Sequence, residues 1–224
     1  MHELSPELST FDDIDIKKAL RYIKKTDKRF TPIIKAIPNF EIKPNNSNSL
    51  FIALIESIIY QQLTAKAAET IYKRVLRLFS SSSQILPLDV IRASEEELRA
   101  AGLSRNKAIA IRDLSEFALA NNLPDENKIK QMANEEIIKT LTQIKGIGRW
   151  TVEMILIFRL GRADVTSLKD YGLQKGLALL MGTFPTLPSI NEFREQSEKW
   201  KPYRSIATWY LWRVADSYNA TNKK

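Results

Sequence analysis

The feature that most constrains the fold is a succession of apolar residues at helical spacing. In the segment 49–63, SLFIALIESIIYQQL, the apolar side chains recur three or four positions apart: Phe51, Leu54, Ile55, Ile58 and Ile59. Alternation of apolar and polar residues over the length of a strand is missing from the sequence. The pattern therefore predicts an all-α fold whose helices are joined by short loops.

Helix-capping residues indicate where several of these helices begin and end. Thr64 is typical of an N-cap, and it precedes the run AKAAETIYKRVLRLF. Ser94 and Glu97 have the spacing of a capping box, and Gly102 follows at a position suited to end that helix. Further helices are predicted over three segments: 104–122, 134–141 and 205–218.

Two polar, proline-containing breaks suggest how the chain is organised. One is PNFEIKPNNSNS at 38–49, and the other is MGTFPTLPSINEF at 181–193. With 224 residues the chain is long enough for one large domain or two small ones. We expect a central helical bundle over 46–158, and a second helical lobe formed by 1–45 together with 159–224.

The composition excludes several kinds of chemistry. There is no cysteine, so disulfides, thiolate nucleophiles, thiolate zinc sites and iron–sulfur clusters are ruled out. The one histidine is His2, near the N-terminus, so histidine-based acid–base catalysis is not expected. Any hydrolytic chemistry must then depend on carboxylates, lysines, tyrosines or a metal that the pattern does not predict.

The charge balance points to a polyanionic partner. The net charge at pH 7 is +8 and the isoelectric point is about 9.5. A basic body favours nucleic acid as the partner, although many basic proteins carry such a charge only because it keeps them soluble. No apolar stretch approaches the ~18 residues of a membrane helix, and the N-terminus has no signal-peptide pattern. We therefore expect an intracellular protein that does not enter a membrane.

A glycine pair lies between two helix-like runs in LTQIKGIGRWTVEMILIFRL, residues 141–160. Gly146 and Gly148 suit a tight turn between two helices, because glycine adopts positive φ and allows another backbone to approach closely. Ile144 and Ile147 are expected to pack this turn against its own helices. Amide groups at the start of the second helix would point outward and suit a phosphate. The alternative is an ordinary helix–helix turn with a glycine cap.

The segment LTQIKGIGRWTVEM, residues 141–154, resembles the hairpin of the helix-hairpin-helix DNA glycosylase superfamily. The pattern G-I-G-R-W-T is that of its alkylpurine branch, the 3-methyladenine DNA glycosylase II type. Three other segments resemble the same family in the same order: SIIYQQLTAKAAETIYKR, AGLSRNKAIAIRDLSEF and WKPYRSIATWYLWR. The resemblance implies a monofunctional glycosylase that hydrolyses the N-glycosidic bond of alkylated purines, such as 3-methyladenine and 7-methylguanine, in base excision repair.

The resemblance also implies a catalytic carboxylate, and the matching residue is Asp170 in ADVTSLKDYGLQKG. Asp170 lies just before a predicted helix, where its charge would stabilise an oxocarbenium-like transition state and orient water. The alternative is that Asp170 only caps this helix. Relatives often read D-V-F-P-x-D-D at this point, whereas here Thr166 and Ser167 replace Phe-Pro and Lys169 replaces an aspartate. Asp164 is interpreted as a loop or cap residue.

Aromatic residues are expected to form the pocket for the damaged base. By resemblance, Trp150 and Trp212 match pocket aromatics of the family, and their rings would attract a cationic alkylpurine. Trp209 and Tyr60 are further candidates for the pocket. Lyase-type relatives carry a nucleophilic lysine at the position of Trp150, and tryptophan cannot form the Schiff base. For each tryptophan the alternative is packing in the core.

The family also needs a wedge, because a base must leave the stack before it can be hydrolysed. By resemblance the wedge is formed by Gln62 and Leu63, in the QQL corner between two predicted helices. The alternative is that Leu63 packs back on its own helices.

The hairpin itself is expected to hold the DNA backbone. The candidate phosphate-binding residues are Lys145, Gly146, Ile147, Gly148, Arg149 and Thr151. The family often holds a structural sodium or potassium ion there through backbone carbonyls, and the matching residues are Thr142, Ile144 and Gly146. No catalytic metal or other cofactor is expected.

The resemblance further implies a monomer that binds double-stranded DNA containing damaged bases. It would work on DNA inside the cell, in a bacterial cytoplasm or nucleoid or in a eukaryotic nucleus. The second lobe would carry Asp170, and an active-site cleft between the two helical lobes would be lined by Asp170 and the pocket aromatics.

Two other functions fit the same sequence. The chain could be a glycosylase for uracil or oxidised bases, against which the pocket aromatics argue only weakly. It could also be a non-catalytic DNA-binding protein that uses the same helix-hairpin-helix. Release of a methylated base, with and without the substitution Asp170→Asn, distinguishes an enzyme from a binding protein.

Overall fold

The computed structural model describes residues 8–45, 47–79 and 85–222, so His2 lies outside the described residues. Apart from one isolated bridge between Thr10 and Arg162, the described residues contain no β-structure, and the predicted all-α class is confirmed. Up to residue 79 the helices are α1 (Ile16–Thr26), α2 (Thr31–Ala36), α3 (Leu50–Tyr60) and α4 (Ala65–Leu78). The next helices are α5 (Pro87–Arg92), α6 (Glu95–Ala100), α7 (Arg105–Leu119), α8 (Glu126–Gln131), α9 (Asn134–Leu141) and α10 (Arg149–Met154). They are followed by α11 (Tyr171–Met181), α12 (Ile190–Glu198) and α13 (Arg204–Thr221).

Short turns with other hydrogen-bond patterns accompany the α-helices. Two 3₁₀ turns, Phe11–Asp13 and Lys28–Phe30, flank α1. A π-helical turn, Ile155–Arg159, follows α10 without a break. A π turn accommodates an extra residue, and such turns frequently occur at functional sites. The side chains of Ile155–Arg159 are therefore candidates for a functional site.

The chain forms two compact units, named unit 1 (Met1–Asn45 and Glu153–Lys224) and unit 2 (Asn46–Val152). The boundary after Val152 precedes the limit of residue 158 that the sequence suggested. The reason is that the π-helical turn packs within unit 1, where the backbone N–H of Asn45 donates to the carbonyl of Phe158 at 3.0 Å.

Unit 2 is built around α3, whose apolar face is buried. Leu54, Ile55, Ile58 and Ile59 are each at most 1 % exposed. Burying one such side chain contributes roughly 1.5–3 kcal/mol, so this face is a main source of the unit's stability. The helix α3 packs against α4 and α7, and α7 also packs against α5 and α6. The packing of unit 2 is therefore connected through α7.

The helix ends predicted for unit 2 are confirmed. The Thr64 hydroxyl accepts from the N–H of Ala67, and α4 begins directly after Thr64. Ser94 and Glu97 form the expected capping box at α6, with hydrogen bonds of 3.1 and 2.7 Å. Gly102 has a φ of +102°, which favours glycine where a helix ends. Each of these signals acts between residues close in sequence.

Unit 1 is centred on the pair α11 and α13. The two helices approach so closely that a Cβ on Gly176 of α11 would lie 2.2 Å from the carbonyl oxygen of Leu211 on α13. A side chain of any size is excluded at that point. Several large side chains of the unit are fully buried: Phe30, Phe193, Trp200 and Tyr210. The close helix pair fixes the position of the α11 N-terminus beside α13.

Trp209 lies in the core of unit 1. It is 5 % exposed, and its ring packs edge-on against Phe40 and Tyr210, with centroid distances of 5.5 and 4.8 Å. The Arg213 guanidinium lies over the same ring, 5.4 Å from its centroid. Core packing therefore describes Trp209, because only 5 % of the residue is exposed.

Two kinds of feature are missing from the described part of the chain. Within residues 8–45, 47–79 and 85–222, no helix combines the length and the apolar character needed to cross a membrane. In the same residues, no three histidine, cysteine, aspartate or glutamate side chains form a group that could hold a metal ion.

Candidate functional site

The turn between α9 and α10 forms a helix-hairpin-helix. Gly146 has a φ of +78°, and a Cβ there would lie 2.9 Å from the Cβ of Ala110 on α7. Ile144 and Ile147 are buried, as expected for side chains that pack the turn against its helices. Glycine is therefore required at residue 146 by the conformation of the turn and by its own packing.

Gly148 differs from Gly146, and the expectation that both glycines serve a positive φ is wrong for Gly148. Its φ lies outside the left-handed region, and a Cβ at this position would meet no described atom within 4 Å. Open space therefore lies over the backbone at the start of α10. The N–H groups of a first helical turn point outward at such a position, which suits an anion.

The two cations of the hairpin are paired with carboxylates of unit 2. The Lys145 ammonium lies 2.8 Å from the Asp113 carboxylate, which also accepts from the backbone N–H of Lys145 at 2.8 Å. The Arg149 guanidinium forms two hydrogen bonds with the Glu135 carboxylate. Both cations remain at the surface, so a phosphate would compete with these carboxylates.

The same pairs shift the pKa of two acids. Burial alone would raise the pKa of Asp113, but the hydrogen bonds and the charge of Lys145 outweigh it and hold the pKa below its usual value. The hydrogen bonds from Arg149 likewise lower the pKa of Glu135. Both carboxylates are therefore charged at neutral pH, and the hairpin surface is less positive than its cations suggest.

The QQL corner joins α3 to α4. Leu63 is 39 % exposed, so much of its side chain lies at the surface. Gln62 has a φ of +58°, which is uncommon for a residue other than glycine. The side-chain amide of Gln61 donates to the Gly146 carbonyl at 3.0 Å and to the Thr151 hydroxyl at 3.4 Å. Gln61 therefore ties the corner to the hairpin.

The other candidates of unit 2 differ in exposure. Thr151 is 5 % exposed and its hydroxyl is hydrogen-bonded to Gln61, so its backbone N–H is the better candidate for a phosphate contact. Trp150 is 46 % exposed and leaves much of its ring at the surface. Tyr60 is half-buried, and burial raises the pKa of its hydroxyl, with a further contribution from Glu56.

In unit 1 the structure brings together two predicted site residues, Asp170 and Trp212. Asp170 is the N-cap of α11, and its Oδ1 accepts from the N–H of Leu173 at 2.8 Å. The same oxygen accepts from the indole N–H of Trp212, on α13, at 3.1 Å. A Cβ at Gly172 would lie 3.1 Å from this oxygen and 3.2 Å from the Trp212 ring, so glycine leaves room for the contact. Asp170 therefore caps its helix and also holds an indole ring.

Trp212 also stacks on Phe158, a residue that the sequence analysis did not identify. The ring centroids are 5.7 Å apart and the planes differ by 21°. Phe158 lies in the π-helical turn Ile155–Arg159 and is 42 % exposed. In the sequence it is one more apolar residue of the run MILIF, which gives no signal that one of these side chains reaches the surface.

The loop that precedes α11 is anchored along one face of α13. Asp164 forms a two-pronged ion pair with Arg204, at 2.8 and 3.0 Å, and accepts from its backbone N–H as a cap residue does. One turn later the Thr208 hydroxyl donates to the Thr166 hydroxyl at 3.1 Å. Arg204, Thr208 and Trp212 are spaced by four residues and share a face of the helix. The loop that contains Thr166 is therefore held to α13 by its own hydrogen bonds.

The two units offer different chemistry. Unit 1 holds a carboxylate in a fixed orientation beside two stacked aromatic rings. This arrangement suits a planar, electron-poor ligand, which could stack on a ring while the carboxylate lies beside it. Unit 2 holds a hairpin with space over its backbone at Gly148, and an apolar side chain, Leu63, on an exposed corner. The second arrangement suits a nucleic-acid backbone and a step between stacked bases.

Known proteins are similar to this chain in sequence. Residues 55–202 match the family model described as HhH-GPD superfamily base excision DNA repair protein. DNA-3-methyladenine glycosylase 1 of Schizosaccharomyces pombe is 32 % identical, over 89 % of this chain and 88 % of that protein. The alkylbase DNA glycosidase-like protein mag2 of the same organism is 29 % identical, over 90 % of this chain and 95 % of that protein.

Solved structures are similar as well. The 3-methyladenine DNA glycosylase (Mag1) of S. pombe, in complex with abasic DNA, has a TM-score of 0.75 and 33 % identity, covering 89 % of this chain and 97 % of that one. DNA-3-methyladenine glycosidase from Bacillus halodurans has a TM-score of 0.78 and 34 % identity, covering 90 % of this chain and 91 % of that one. The resemblance found in the sequence is thereby confirmed: the chain belongs to the HhH-GPD superfamily of base excision DNA repair proteins, in its alkylpurine glycosylase group.

Proposed function

We propose that this protein is a monofunctional DNA glycosylase that hydrolyses the N-glycosidic bond of alkylated purines in double-stranded DNA, within base excision repair. The observation that carries the proposal is the hydrogen bond between Asp170 and Trp212, which places a carboxylate beside the ring stacked on Phe158. Similar proteins are named for 3-methyladenine, so this lesion is the first candidate substrate, and 7-methylguanine belongs to the same class.

Asp170 is the proposed catalytic residue. As the bond from the purine to the sugar breaks, the purine leaves with the bonding electrons and the deoxyribose becomes oxocarbenium-like. A carboxylate beside the sugar stabilises that positive charge and orients a water molecule toward the anomeric carbon. The N–H groups of Leu173 and Trp212 fix the orientation of the carboxyl group before the substrate arrives.

Aromatic rings are proposed to bind the base. Alkylated purines of this class are cationic, so electron-rich ring faces attract them. Trp212 offers such a face with Phe158 stacked against it, and the exposed Trp150 is a second candidate. A cationic purine is already a good leaving group, so the reaction needs no strong general acid. A reaction without a strong general acid is consistent with a chain whose one histidine is His2.

The hairpin and the QQL corner are proposed to bind the DNA. Backbone amides from Gly146 to Thr151 would hold a phosphate, where the open space over Gly148 lets it approach. Leu63, with Gln62 beside it, would fill the gap left by the extruded base. We further propose that the protein acts as a monomer, inside the cell and on DNA.

A sodium or potassium ion is proposed to bind the carbonyls of Thr142, Ile144 and Gly146. Neutral carbonyl oxygens suit a monovalent cation. The Ile144 carbonyl accepts from the Ile147 N–H at 3.1 Å, and the Gly146 carbonyl accepts from Gln61 at 3.0 Å. A carbonyl oxygen has a second lone pair, so these hydrogen bonds leave each oxygen able to contact an ion. Such an ion would add positive charge beside the phosphate.

Base release from defined duplexes tests the function. The protein is incubated with duplexes that carry 7-methylguanine, uracil or 8-oxoguanine and with DNA treated with a methylating agent, and the free bases are separated by chromatography. We expect release of methylated purines, and no covalent protein–DNA adduct on reduction with borohydride, because Trp150 cannot form a Schiff base. Release of uracil or the oxidised base alone would assign the other specificity. Binding without release of any base would assign a non-catalytic DNA-binding protein.

Substituting Trp212 separates its two contacts. Trp212→Phe keeps an aromatic face against Phe158 but removes the N–H that orients Asp170, so the single-turnover rate of base release should fall roughly tenfold. Trp212→Ala removes both contacts and should cost roughly another factor of ten. The rates are measured with enzyme in excess over a 7-methylguanine duplex. A wild-type rate in Trp212→Phe would mean that this hydrogen bond does not position the carboxylate.

Alanine at the two hairpin glycines should affect different properties, DNA affinity at residue 148 and stability at residue 146. A Cβ at residue 148 meets no described atom, so Gly148→Ala should change the free energy of unfolding by less than about 1 kcal/mol. Its affinity for duplex DNA should nevertheless fall roughly tenfold, because the methyl group occupies the space of the phosphate. Gly146→Ala should lose about 1–3 kcal/mol of stability, since its φ is +78°.

Denaturant unfolding and fluorescence anisotropy at one fixed salt concentration measure the two quantities. Gly146→Ala serves as the control that a stability loss is detectable. Wild-type DNA affinity in Gly148→Ala would place the bound phosphate elsewhere.

A further inference from the structure

One face of α7 contacts both proposed DNA-binding elements of unit 2. Lys107, Ala110 and Asp113 follow one another at spacings of three residues and therefore share a face of the helix. Lys107 binds the QQL corner, Ala110 packs beneath Gly146, and Asp113 binds Lys145. The corner and the hairpin are thus mounted on a single α-helix, which is stiffer than a loop.

Lys107 is bound to backbone carbonyls. Its ammonium donates to the carbonyl of Ile59 at 2.6 Å and to that of Gln61 at 2.9 Å. These carbonyls lie where α3 ends, and the last carbonyls of a helix have no partners within the helix and attract positive charge. The ammonium is partly withdrawn from water, and this burial lowers the pKa of Lys107. Lys107 therefore fixes the end of α3 and the start of the corner to α7.

Gln61 is held at its backbone and at its side chain. Its carbonyl accepts from Lys107, while its side-chain amide reaches the Gly146 carbonyl at 3.0 Å and the Thr151 hydroxyl at 3.4 Å. The next residue, Gln62, has a φ of +58°, and such a conformation persists only where surrounding contacts hold it. The corner is therefore locked just before the proposed wedge.

We propose, building on the glycosylase function above, that Lys107 and Gln61 are positioning residues that couple the wedge to the hairpin. A side chain that enters a base step is pushed back by the stack, so a corner that could yield would not keep the step open. The hairpin fixes the protein on a phosphate, and α7 sets the distance from that phosphate to Leu63. Neither positioning residue needs to contact the reacting atoms.

The test compares two duplexes for each variant. In one, 7-methylguanine faces cytosine; in the other it faces an abasic analogue, and its extrusion needs less work. Lys107→Met and Gln61→Met remove the hydrogen bonds at similar side-chain length. Release from the paired duplex should fall on the order of 10- to 100-fold, and release from the abasic-opposed duplex by less than about threefold. Lys107→Arg, which keeps charged donors, should restore most of the loss.

Lys73→Met is the matched control for charge. Lys73 lies on α4 and pairs with Glu69 at the surface, so this variant loses one positive charge without touching the corner. Its ratio of the two rates should equal that of the wild type. Equal losses on both duplexes in Lys107→Met and Gln61→Met would mean that they only weaken the fold or the chemistry, which overturns the positioning role. Wild-type rates on both duplexes would overturn it as well.

A second readout does not depend on base release. 2-Aminopurine placed next to an abasic analogue becomes brighter when the protein unstacks it, and both methionine variants should show a smaller increase at saturating protein. If the wild type releases no base from any duplex, the proposed glycosylase function is wrong. The 2-aminopurine signal alone then tests the positioning role of Lys107 and Gln61. A wild-type increase in both variants would then overturn the positioning role.

Discussion

Replacing Asp170 with asparagine should nearly abolish base release while the protein still folds and binds DNA. Asparagine has almost the same shape, and its side-chain oxygen can accept from the N–H groups of Leu173 and Trp212 as Asp170 does. It is also as good an N-cap as aspartate, so α11 should keep its start. The substitution therefore removes the negative charge and replaces Oδ2 with an NH2 group, while the two hydrogen bonds to Oδ1 can be kept. Loss of the proposed electrostatic and base catalysis should lower the single-turnover rate by about 10²–10⁴-fold.

Three measurements define this result: base release from a 7-methylguanine duplex, affinity for a duplex with an abasic analogue, and the midpoint of thermal unfolding. Asp164→Asn is the matched control, because it removes the same charge from the same loop. It should mainly lower the free energy of unfolding, by roughly 1–3 kcal/mol, since Asp164 is buried and forms a partly buried ion pair with Arg204. Wild-type release by Asp170→Asn would leave Asp170 with its capping role only.

Gly176→Ala should destabilise the protein strongly. The added Cβ would lie 2.2 Å from the carbonyl oxygen of Leu211 and 2.8 Å from its carbonyl carbon. Both are backbone atoms, so no side-chain rotation relieves the clash, and α11 must move away from α13. We expect a loss of about 3 kcal/mol or more in the free energy of unfolding. In an exposed helix the same substitution stabilises by about 1 kcal/mol, so the sign of the change is itself a test.

The same displacement should reduce base release. Asp170 starts α11 and Trp212 follows Leu211 on α13, so separating the helices pulls their hydrogen bond apart. Gly182→Ala is the control: Gly182 ends the same helix with a φ of +73°, but a Cβ there meets no described atom within 4 Å. Its stability loss should be near 1 kcal/mol, with base release retained. A Gly176→Ala variant as stable as the wild type would show that α11 and α13 are not in close contact.

Features encoded by neighbouring residues could be predicted from the sequence. Thr64 caps α4, and Ser94 with Glu97 caps α6, because each of these hydrogen bonds joins residues three positions apart. Gly146 could be identified because a tight turn needs positive φ. The resemblance to the family supplied Asp170 and Trp212, which are 42 residues apart, but the hydrogen bond between them is known only from the fold.

Features that depend on packing could not be predicted. Lys107 looks like any basic residue of an amphipathic helix until α3 ends beside it. Trp209 and Trp212 are three residues apart on α13, and the sequence made both of them candidates for the pocket. In the structure α13 is buried on all sides from residue 205 to 211, so Trp209 is core while Trp212 is only half-buried. A periodicity argument fails where a helix has no exposed face.

At the π-helical turn Ile155–Arg159, adding or removing a residue changes the direction in which neighbouring side chains point. In a regular α-helix each residue turns the chain by about 100°. Deleting one residue ahead of Phe158 would restore regular winding and would change the direction of the Phe158 side chain relative to α10. Phe158 would then no longer face Trp212, although no aromatic residue had been substituted. Insertions and deletions here would therefore change the stacked pair of Phe158 and Trp212 in one step, whereas a point substitution would change only one of the two rings.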